Sequence, residues 1–235
     1  MKHTSVRQQL LSLVFLVSLY SSASACAAQQ VVVDTGHTTE KPGAIGHNGK
    51  REFDLNRQLT IALIKALRAK GLSVTDVAAA GSPQSLQART QASSGAALFI
   101  SIHHDSMQQA WLDAGRSREF SGYALFVSVG KPQYARSLAC AKNIGRGMQA
   151  IGEHPSLYHA TPIAGENRPL IDSALGIHRF DDLVVLKTAE APALLLEVGV
   201  LANPDEEPRL AAPQFADRAA NAIANGILQC LPAEQ

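Results

Sequence analysis

Two histidines and two glutamates stand at points of this 235-residue chain where a folded protein can bring them together. His37, His103 and Glu197 each follow a short apolar run, and such runs are typical of buried strands. Glu52 opens a segment whose apolar residues recur at helical spacing. Because ligands of open α/β sheets bind just beyond the carboxyl ends of the strands, these four side chains are candidates for one site.

The residue types favour zinc chemistry. Catalytic zinc takes three protein ligands and leaves a fourth position for water, and His37, Glu52 and His103 supply such a set. Bound zinc lowers the pKa of water and polarises a carbonyl, so we expect a hydrolase. Glu197 follows four apolar residues, and burial there would raise its pKa. A carboxylate of this kind can take the proton of the water and pass it to a leaving amine.

Each of these residues also has a structural explanation. Glu52 could be an ordinary acid in the first turn of a helix, where the helix dipole favours it. A histidine at the end of a strand could be a satisfied core group. His103 also competes with His104, because consecutive strand residues point to opposite faces and only one of them can readily reach the metal. The residues alone leave that choice open.

The surrounding pattern predicts one α/β domain. Apolar runs predict six strands, at 31–33, 72–77, 97–102, 123–129, 183–186 and 193–196. Helical periodicity predicts helices at 52–70, 84–94, 132–152 and 213–230. This alternation predicts a mostly parallel twisted sheet of about six strands flanked by helices. The connection 153–182 contains several histidines, each expected to be solvated, although loops of such length are often functional.

Composition and motifs narrow the function classes. Hydrophobic residues make up 46% of the chain and charged residues 17%, which indicates a folded globular protein rather than a disordered one. The formal net charge is +1 and no basic block is present, which argues against a nucleic-acid partner. The sequence has no H-E-x-x-H, no G-x-S-x-G and no G-x-G-x-x-G after a strand. Zincins, nucleophile-elbow hydrolases and dinucleotide-binding enzymes are therefore excluded.

Residues 1–25 are predicted to be a secretory signal peptide. A positively charged start precedes an apolar run at 10–20 and an A-x-A cleavage site at 23–25. The apolar run is shorter than the roughly 20 residues of a transmembrane helix, so no integral membrane span is predicted. The mature protein is therefore expected to work in the periplasm, with its catalytic domain at 28–235.

The three cysteines fit an oxidising compartment. Cys140 and Cys230 both fall in predicted helices, so a disulfide between them is conceivable, but the sequence does not show their proximity. Cys26 follows the cleavage site and would allow lipid anchoring. Ala23 stands where lipidated proteins usually carry leucine, so secretion without an anchor is the preferred interpretation.

The order of these residues resembles the zinc-dependent N-acetylmuramoyl-L-alanine amidases of the cell-division type, the Amidase_3 family. The family pattern has a strand ending D-x-G-H, a glutamate that opens a helix, an arginine, a strand ending S-I-H-x-N and a strand ending E-x-G-x-x-x-N. It is matched in order at 34–37 (DTGH), Glu52 with Asn56, Arg89, 101–105 (SIHHD) and 197–203 (EVGVLAN). The match covers nearly the whole mature chain.

The resemblance implies a fold of the phosphorylase/hydrolase-like kind and one Zn²⁺ per chain. It implies that His37, Glu52 and His103 hold the zinc, with His104 as their neighbour, and that Glu197 is catalytic. It further implies that peptidoglycan is the partner and that the amide between N-acetylmuramic acid and L-alanine is cut in cell-wall remodelling or degradation. Substrate or supporting contacts are expected from four residues, His104, Asp105, Arg89 and Asn203.

Two departures from the family pattern bear on function. His104 and Asp105 replace the usual small residue and asparagine, which is expected to alter substrate contacts. The segment after His103 is shorter than the regulatory insertion of the inhibited division amidases, so an activator protein is conceivable but is not expected to be required. Two rival functions also remain: a zinc peptidase acting on the stem peptide, and an inactive peptidoglycan-binding protein.

Overall fold

Seven strands form one sheet in the part of the chain that the structure describes. The computed structural model describes residues 29–77 and 85–232, so the predicted signal peptide 1–25 and Cys26 lie outside these ranges. The strands are β1 Gln30–Thr35, β2 Ser73–Asp76, β3 Leu98–Asp105, β4 Ala124–Val127, β5 Leu170–Asp172, β6 Ile177–Arg179 and β7 Ala193–Val200. Their order across the sheet is β2-β1-β3-β7-β4-β6-β5. The first four strands of that order pair in parallel, and β4 is antiparallel to β7.

Helices of very different length cover the two faces of this sheet. They are α1 Glu52–Ala69, α2 Leu86–Gln91, α3 Gln109–Asp113, α4 Tyr134–Ala150, α5 Val184–Thr188, α6 Glu207–Leu210 and α7 Pro213–Cys230, with a 3₁₀ turn at Tyr158–Ala160. The long helices α1, α4 and α7 were expected from their periodicity. Within the described ranges, no helix combines the length and the apolar character that crossing a bilayer requires.

Strand alternation places an apolar cluster on each face of the sheet, and the described residues form a third, smaller cluster as well. Val31 and Val33 of β1 point to one side, where α1, α4 and α7 pack, and we call this side the helix-covered face. Val32 points to the other side, where the short helix α5 contributes Val185 and Leu186, and we call this side the site face. A disulfide between Cys140 and Cys230 joins α4 to α7 on the helix-covered face, so the bridge that the sequence left open is present.

The α/β class, the single domain and the mostly parallel flanked sheet are confirmed, with seven strands rather than about six. The strand predicted at 183–186 is wrong, because these residues lie in α5. A helical turn lets the sequence neighbours Val185 and Leu186 both reach one core cluster, which a strand would not allow. The connection 153–182 is not wholly irregular either, because the short strands β5 and β6 form within it.

Candidate metal centre

Three of the predicted side chains converge at the carboxyl edge of the sheet. The Nε2 atom of His37 lies 2.9 Å from Oε2 of Glu52, and Nδ1 of His103 lies 3.0 Å from its Oε1. Each of the three residues offers one ligand atom, and these three atoms lie within 4.8 Å of one another. Two imidazole nitrogens and a carboxylate are the donor chemistry of catalytic zinc sites, so the donor set fits this metal.

Two glycines allow this convergence. His37 follows β1 and Gly36 in the left-handed region, with φ of 69°, which is uncommon for a residue other than glycine. A Cβ on Gly36 would lie 2.4 Å from the ring of His103, and a Cβ on Gly43 would lie 2.3 Å from Oε2 of Glu52. Gly43 also has φ of +77°, which side-chain-bearing residues rarely adopt. The chain around the first two candidate ligands therefore needs glycine at both positions.

Glu52 is held by the first turn of α1 and by the loop before it. The N–H of Ala44 donates to Oε2 of Glu52 at 3.0 Å, and the Nδ2 group of Asn56, one helical turn later, donates to Oε1 at 3.2 Å. Asn56 also donates to the carbonyl of Gly36 at 3.2 Å, which ties α1 to the end of β1. The sequence singled out Asn56 only through the family pattern, and its contacts explain why an amide suits this buried position.

His103 and His104 lie on opposite faces of the sheet and have different partners. His103 takes part in the candidate metal cluster, whereas Nδ1 of His104 lies 2.8 Å from Oδ1 of Asn56 on the helix-covered face. Burial lowers the pKa of His104 to about 4, so its ring is neutral. Burial alone would also lower the pKa of His103, but its hydrogen bond with Glu52 and the nearby carboxylates raise it to about 9.

The carboxylate of Glu52 is strongly stabilised in its charged form. Burial alone would raise its pKa, but hydrogen bonds with His103 and His37 hold it far below the ordinary value. This charge is compatible with cation binding between the two imidazoles.

Glu197 lies directly across from His103 on the neighbouring strand, because the two residues are paired in the register of β3 and β7. Both strands continue past these residues, so Glu197 stands inside β7 rather than at its end. Its Oε2 atom is buried and has no hydrogen-bond partner among the described residues. Burial, together with the charge of Asp105, raises the pKa of Glu197 to about 8, in the direction that the sequence predicted.

Arg89 supports the turn that carries His37. Its guanidinium forms an ion pair with Asp34 at 3.0 Å and donates to the carbonyls of Thr35 and His37, each at 2.6 Å. Asp34 also accepts a hydrogen bond from Ser101 at 2.7 Å. Arg89 is only 3% exposed, and although it borders the cleft beside the site, its guanidinium is bound to these protein groups. The sequence analysis expected a substrate or supporting contact from Arg89, and its contacts within the described residues are of the supporting kind.

A second charged cluster lies beside Glu197, and the sequence missed its central residue. His159 is held between two carboxylates, with Nε2 at 2.7 Å from Asp105 and Nδ1 at 2.8 Å from Glu166. Burial opposes a charge on His159, but the two carboxylates raise its pKa to about 10. The expectation that this histidine is solvated is therefore wrong. The only signal for it was its place in the long connection, seven residues before an acid.

Asn203, the last residue of the family pattern, belongs to the turn that follows β7. Asn203 is buried, donates to the carbonyl of Phe120 at 2.8 Å and accepts from the N–H of Asp205, so it shapes the turn after β7.

A cleft of about 480 Å³ opens beside the metal cluster on the site face. Its walls include both candidate histidine ligands and residues of other elements, among them Lys41, Leu86, Val185 and Leu195.

Fold and site together define an α/β protein with a candidate metal centre at the carboxyl edge of its sheet. Residues 31–229 match the sequence model of the N-acetylmuramoyl-L-alanine amidases, Amidase_3. The chain therefore belongs to this family, as the order of its motifs indicated. The membership also confirms the expected enzyme class, an N-acetylmuramoyl-L-alanine amidase.

Relatives and a solved structure agree with this assignment. The N-acetylmuramoyl-L-alanine amidase AmiA of Salmonella typhimurium is 27% identical over 222 residues, which cover 84% of this chain and 74% of the relative. The germination-specific N-acetylmuramoyl-L-alanine amidase of Bacillus subtilis is 27% identical over 216 residues, 85% of this chain and 78% of the relative. The amidase AmiC2 of Nostoc punctiforme superposes with a TM-score of 0.64 at 25% identity, over 86% of this chain and 96% of that chain.

Proposed function

We propose that this amidase depends on zinc and hydrolyses the amide between N-acetylmuramic acid and L-alanine of the peptidoglycan stem peptide. One observation carries the proposal: the donor atoms of His37, Glu52 and His103 lie within 4.8 Å of one another, with an unpartnered oxygen of Glu197 nearby. Zinc held there would polarise the scissile carbonyl and lower the pKa of a water molecule.

In this mechanism, Glu197 moves the proton. Its carboxylate takes a proton from the attacking water and gives it to the nitrogen of the departing L-alanine amine as the carbon–nitrogen bond breaks. The buried and unpartnered Oε2 is the oxygen available for this transfer. A pKa raised to about 8 suits a group that must act first as a base and then as an acid near neutral pH.

The surrounding residues hold these groups rather than the substrate. Asn56 and the N–H of Ala44 orient the carboxylate of Glu52, and His104 in turn fixes Asn56. Arg89 supports the turn that holds His37, because its guanidinium donates a hydrogen bond to the carbonyl of His37. Because each of them forms a hydrogen bond or an ion pair with another part of the chain, positioning is the role we assign to His104, Arg89, Asp105 and Asn203.

We infer that the enzyme works in the periplasm, with residues 1–25 removed and residues 28–235 as the catalytic domain, and that it needs no activator. The connection after β3 is short and contains only the five-residue helix α3. Among the described residues, none of the hydrogen-bond partners of Glu52 comes from that connection. Nothing in that connection therefore ties up the candidate ligand, and the purified mature chain alone is expected to digest peptidoglycan.

The test combines metal removal with product analysis. The mature chain is treated with a chelator, dialysed, and assayed for dye release from labelled peptidoglycan before and after zinc is returned. Activity should disappear on chelation and return with about one zinc per chain, and mass spectrometry should find intact stem peptides that begin with free L-alanine. Cuts within the peptides would indicate the peptidase instead, and zinc-loaded protein that releases nothing would indicate a binding protein.

A further inference from the structure

A small hairpin links the first two candidate ligands. Ile45 and Arg51 form an antiparallel bridge, and the N–H of Gly46 donates to the carbonyl of Lys50 at 2.8 Å. Glu52 follows this hairpin immediately. Its own N–H donates to the carbonyl of Ala44 at 2.9 Å, while the N–H of Ala44 donates to its Oε2 at 3.0 Å. The position of the hairpin therefore sets the position of the Glu52 carboxylate.

Glu207 of α6 anchors that hairpin from far along the chain. One of its oxygens accepts the N–H of Lys50 at 3.0 Å, and the other accepts the N–H of Asn48. These contacts bridge 157 and 159 residues of sequence. Glu207 is only 1% exposed, and the ion pairs found among the described residues do not include it. A buried carboxylate is costly unless such hydrogen bonds stabilise its charge.

The hairpin is shaped to receive this carboxylate. A Cβ on Gly46 would lie 2.5 Å from Oε1 of Glu207 and 2.8 Å from Cδ1 of Leu201. Any larger residue would therefore push the hairpin away from α6. Glycine at this position lets the backbone approach the carboxylate closely enough for both hydrogen bonds.

We propose that Glu207 is a positioning residue for the metal centre, because it fixes the 45–51 hairpin and so holds the Glu52 carboxylate against His37. This inference rests on the proposed zinc site. It predicts that the affinity for zinc, and not only the stability of the fold, depends on a carboxylate at position 207. Residues that orient metal ligands typically change metal affinity by about 10- to 100-fold when they are replaced.

Glu206 provides a matched control. It is the preceding residue, is similarly buried, and binds the N–H groups of Gly122 and Val200 together with Arg209, but it makes no contact with the hairpin. Glu207→Gln would place an amide donor against two backbone donors and break at least one hydrogen bond. Glu206→Gln disturbs an equivalent buried network elsewhere, so a purely structural effect should be common to both variants.

The experiment measures the dissociation constant for zinc in the mature chain by competition with a chromophoric chelator. Amide hydrogen exchange of residues 46–51 is measured in the same proteins. We expect E207Q to weaken zinc binding about 10- to 100-fold and to speed exchange in the hairpin, while E206Q binds zinc as the wild type does. Equal affinities in E207Q and wild type, or equal losses in E207Q and E206Q, would overturn the inference.

Two further measurements, on a hairpin variant and on the wild type, complete the experiment. Gly46→Ala strains the same contact from the hairpin side, so if E207Q does not fold, G46A answers the question, and wild-type zinc affinity in G46A would refute the role of Glu207. A wild-type chain that binds no zinc would overturn the proposed function itself. That failure is seen in the unmodified protein, whereas failure of the present inference is seen only in the variants.

Discussion

The two faces of the sheet are built from different interactions. On the helix-covered face, three long helices pack apolar side chains against the strands and a disulfide joins two of them. On the site face, the short helix α5 packs against the strands with α2 beside it, and buried charges take the place of part of the apolar core. Asp34 with Arg89 and Asp105 with His159 are the main examples.

The helix-covered face therefore contributes mainly to stability, whereas the site face carries the groups that take part in the chemistry. Apolar packing tolerates gradual change, whereas a buried charge must keep its partner or become destabilising. The short helices also leave the cleft open beside His37 and His103. Substitutions on the site face should therefore act on catalysis or through unpaired charges, and substitutions in the apolar core of the helix-covered face should act on stability alone.

The largest expected effect on activity comes from Glu197→Gln. The amide keeps the size of the side chain but does not transfer the proton, so kcat should fall about 10²- to 10⁴-fold. Zinc content and melting temperature should stay at wild-type values. The exposed Glu190→Gln serves as the control, and wild-type turnover in E197Q would remove Glu197 from the mechanism.

Arg89→Met tests the charges beneath the site. It leaves Asp34 buried without its cation, and breaking such a pair typically costs about 3–5 kcal/mol of unfolding free energy. Urea unfolding of the wild type and of the Arg89→Met variant measures this loss. Arg51→Met removes an exposed ion pair with Asp54, and such pairs contribute little, so its unfolding should stay close to that of the wild type. Equal effects of the two variants would contradict the distinction between buried and exposed charges.

The disulfide tests the opposite face. Replacing Cys140 and Cys230 together by serine opens a bridge between residues 90 apart in sequence and should cost about 2–4 kcal/mol of unfolding free energy. Specific activity well below the melting temperature should not change, because neither residue contacts the site face. A loss of activity without unfolding would show that the two faces are coupled.

A smaller and pH-dependent effect is expected at His159. Its pKa is raised from 6.5 to about 10, so the stability it contributes is complete below about pH 6.5 and is lost as the pH rises toward 10. Its hydrogen bonds to charged partners are each worth about 1.5–3 kcal/mol. His159→Gln should flatten the decline of unfolding free energy between these pH values, measured by denaturant titration. His154→Gln, on the exposed surface, should leave the wild-type slope.

Local patterns predicted the elements that position the candidate ligands. The apolar run before His37 and the periodicity after Glu52 determined strand and helix correctly, and α7 has the predicted bounds. These features depend on neighbours in sequence, since burial of one face imposes a period of two or of about 3.6 residues. The roles of the ligands themselves stay predictions, based on spacing and on the family pattern.

The missed features depend on distant partners. His159 binds Asp105 across 54 residues, and Glu207 binds the hairpin across 157 or more, so no local pattern reports either contact. The strand predicted at 183–186 failed for a related reason. Consecutive valines favour a strand, but the site face needed a short helix that brings Val185 and Leu186 to one cluster.

The register of β3 against β7 places His103 and Glu197 on one rung of the sheet. Because side chains alternate from face to face, deleting or inserting a single residue before either one would turn it toward the long helices. A connection such as 106–121 can change length without shifting this rung, since it is not paired with either strand. The number of residues in these two neighbouring strands is thus as much a part of the enzyme's active machinery as the identity of its ligands.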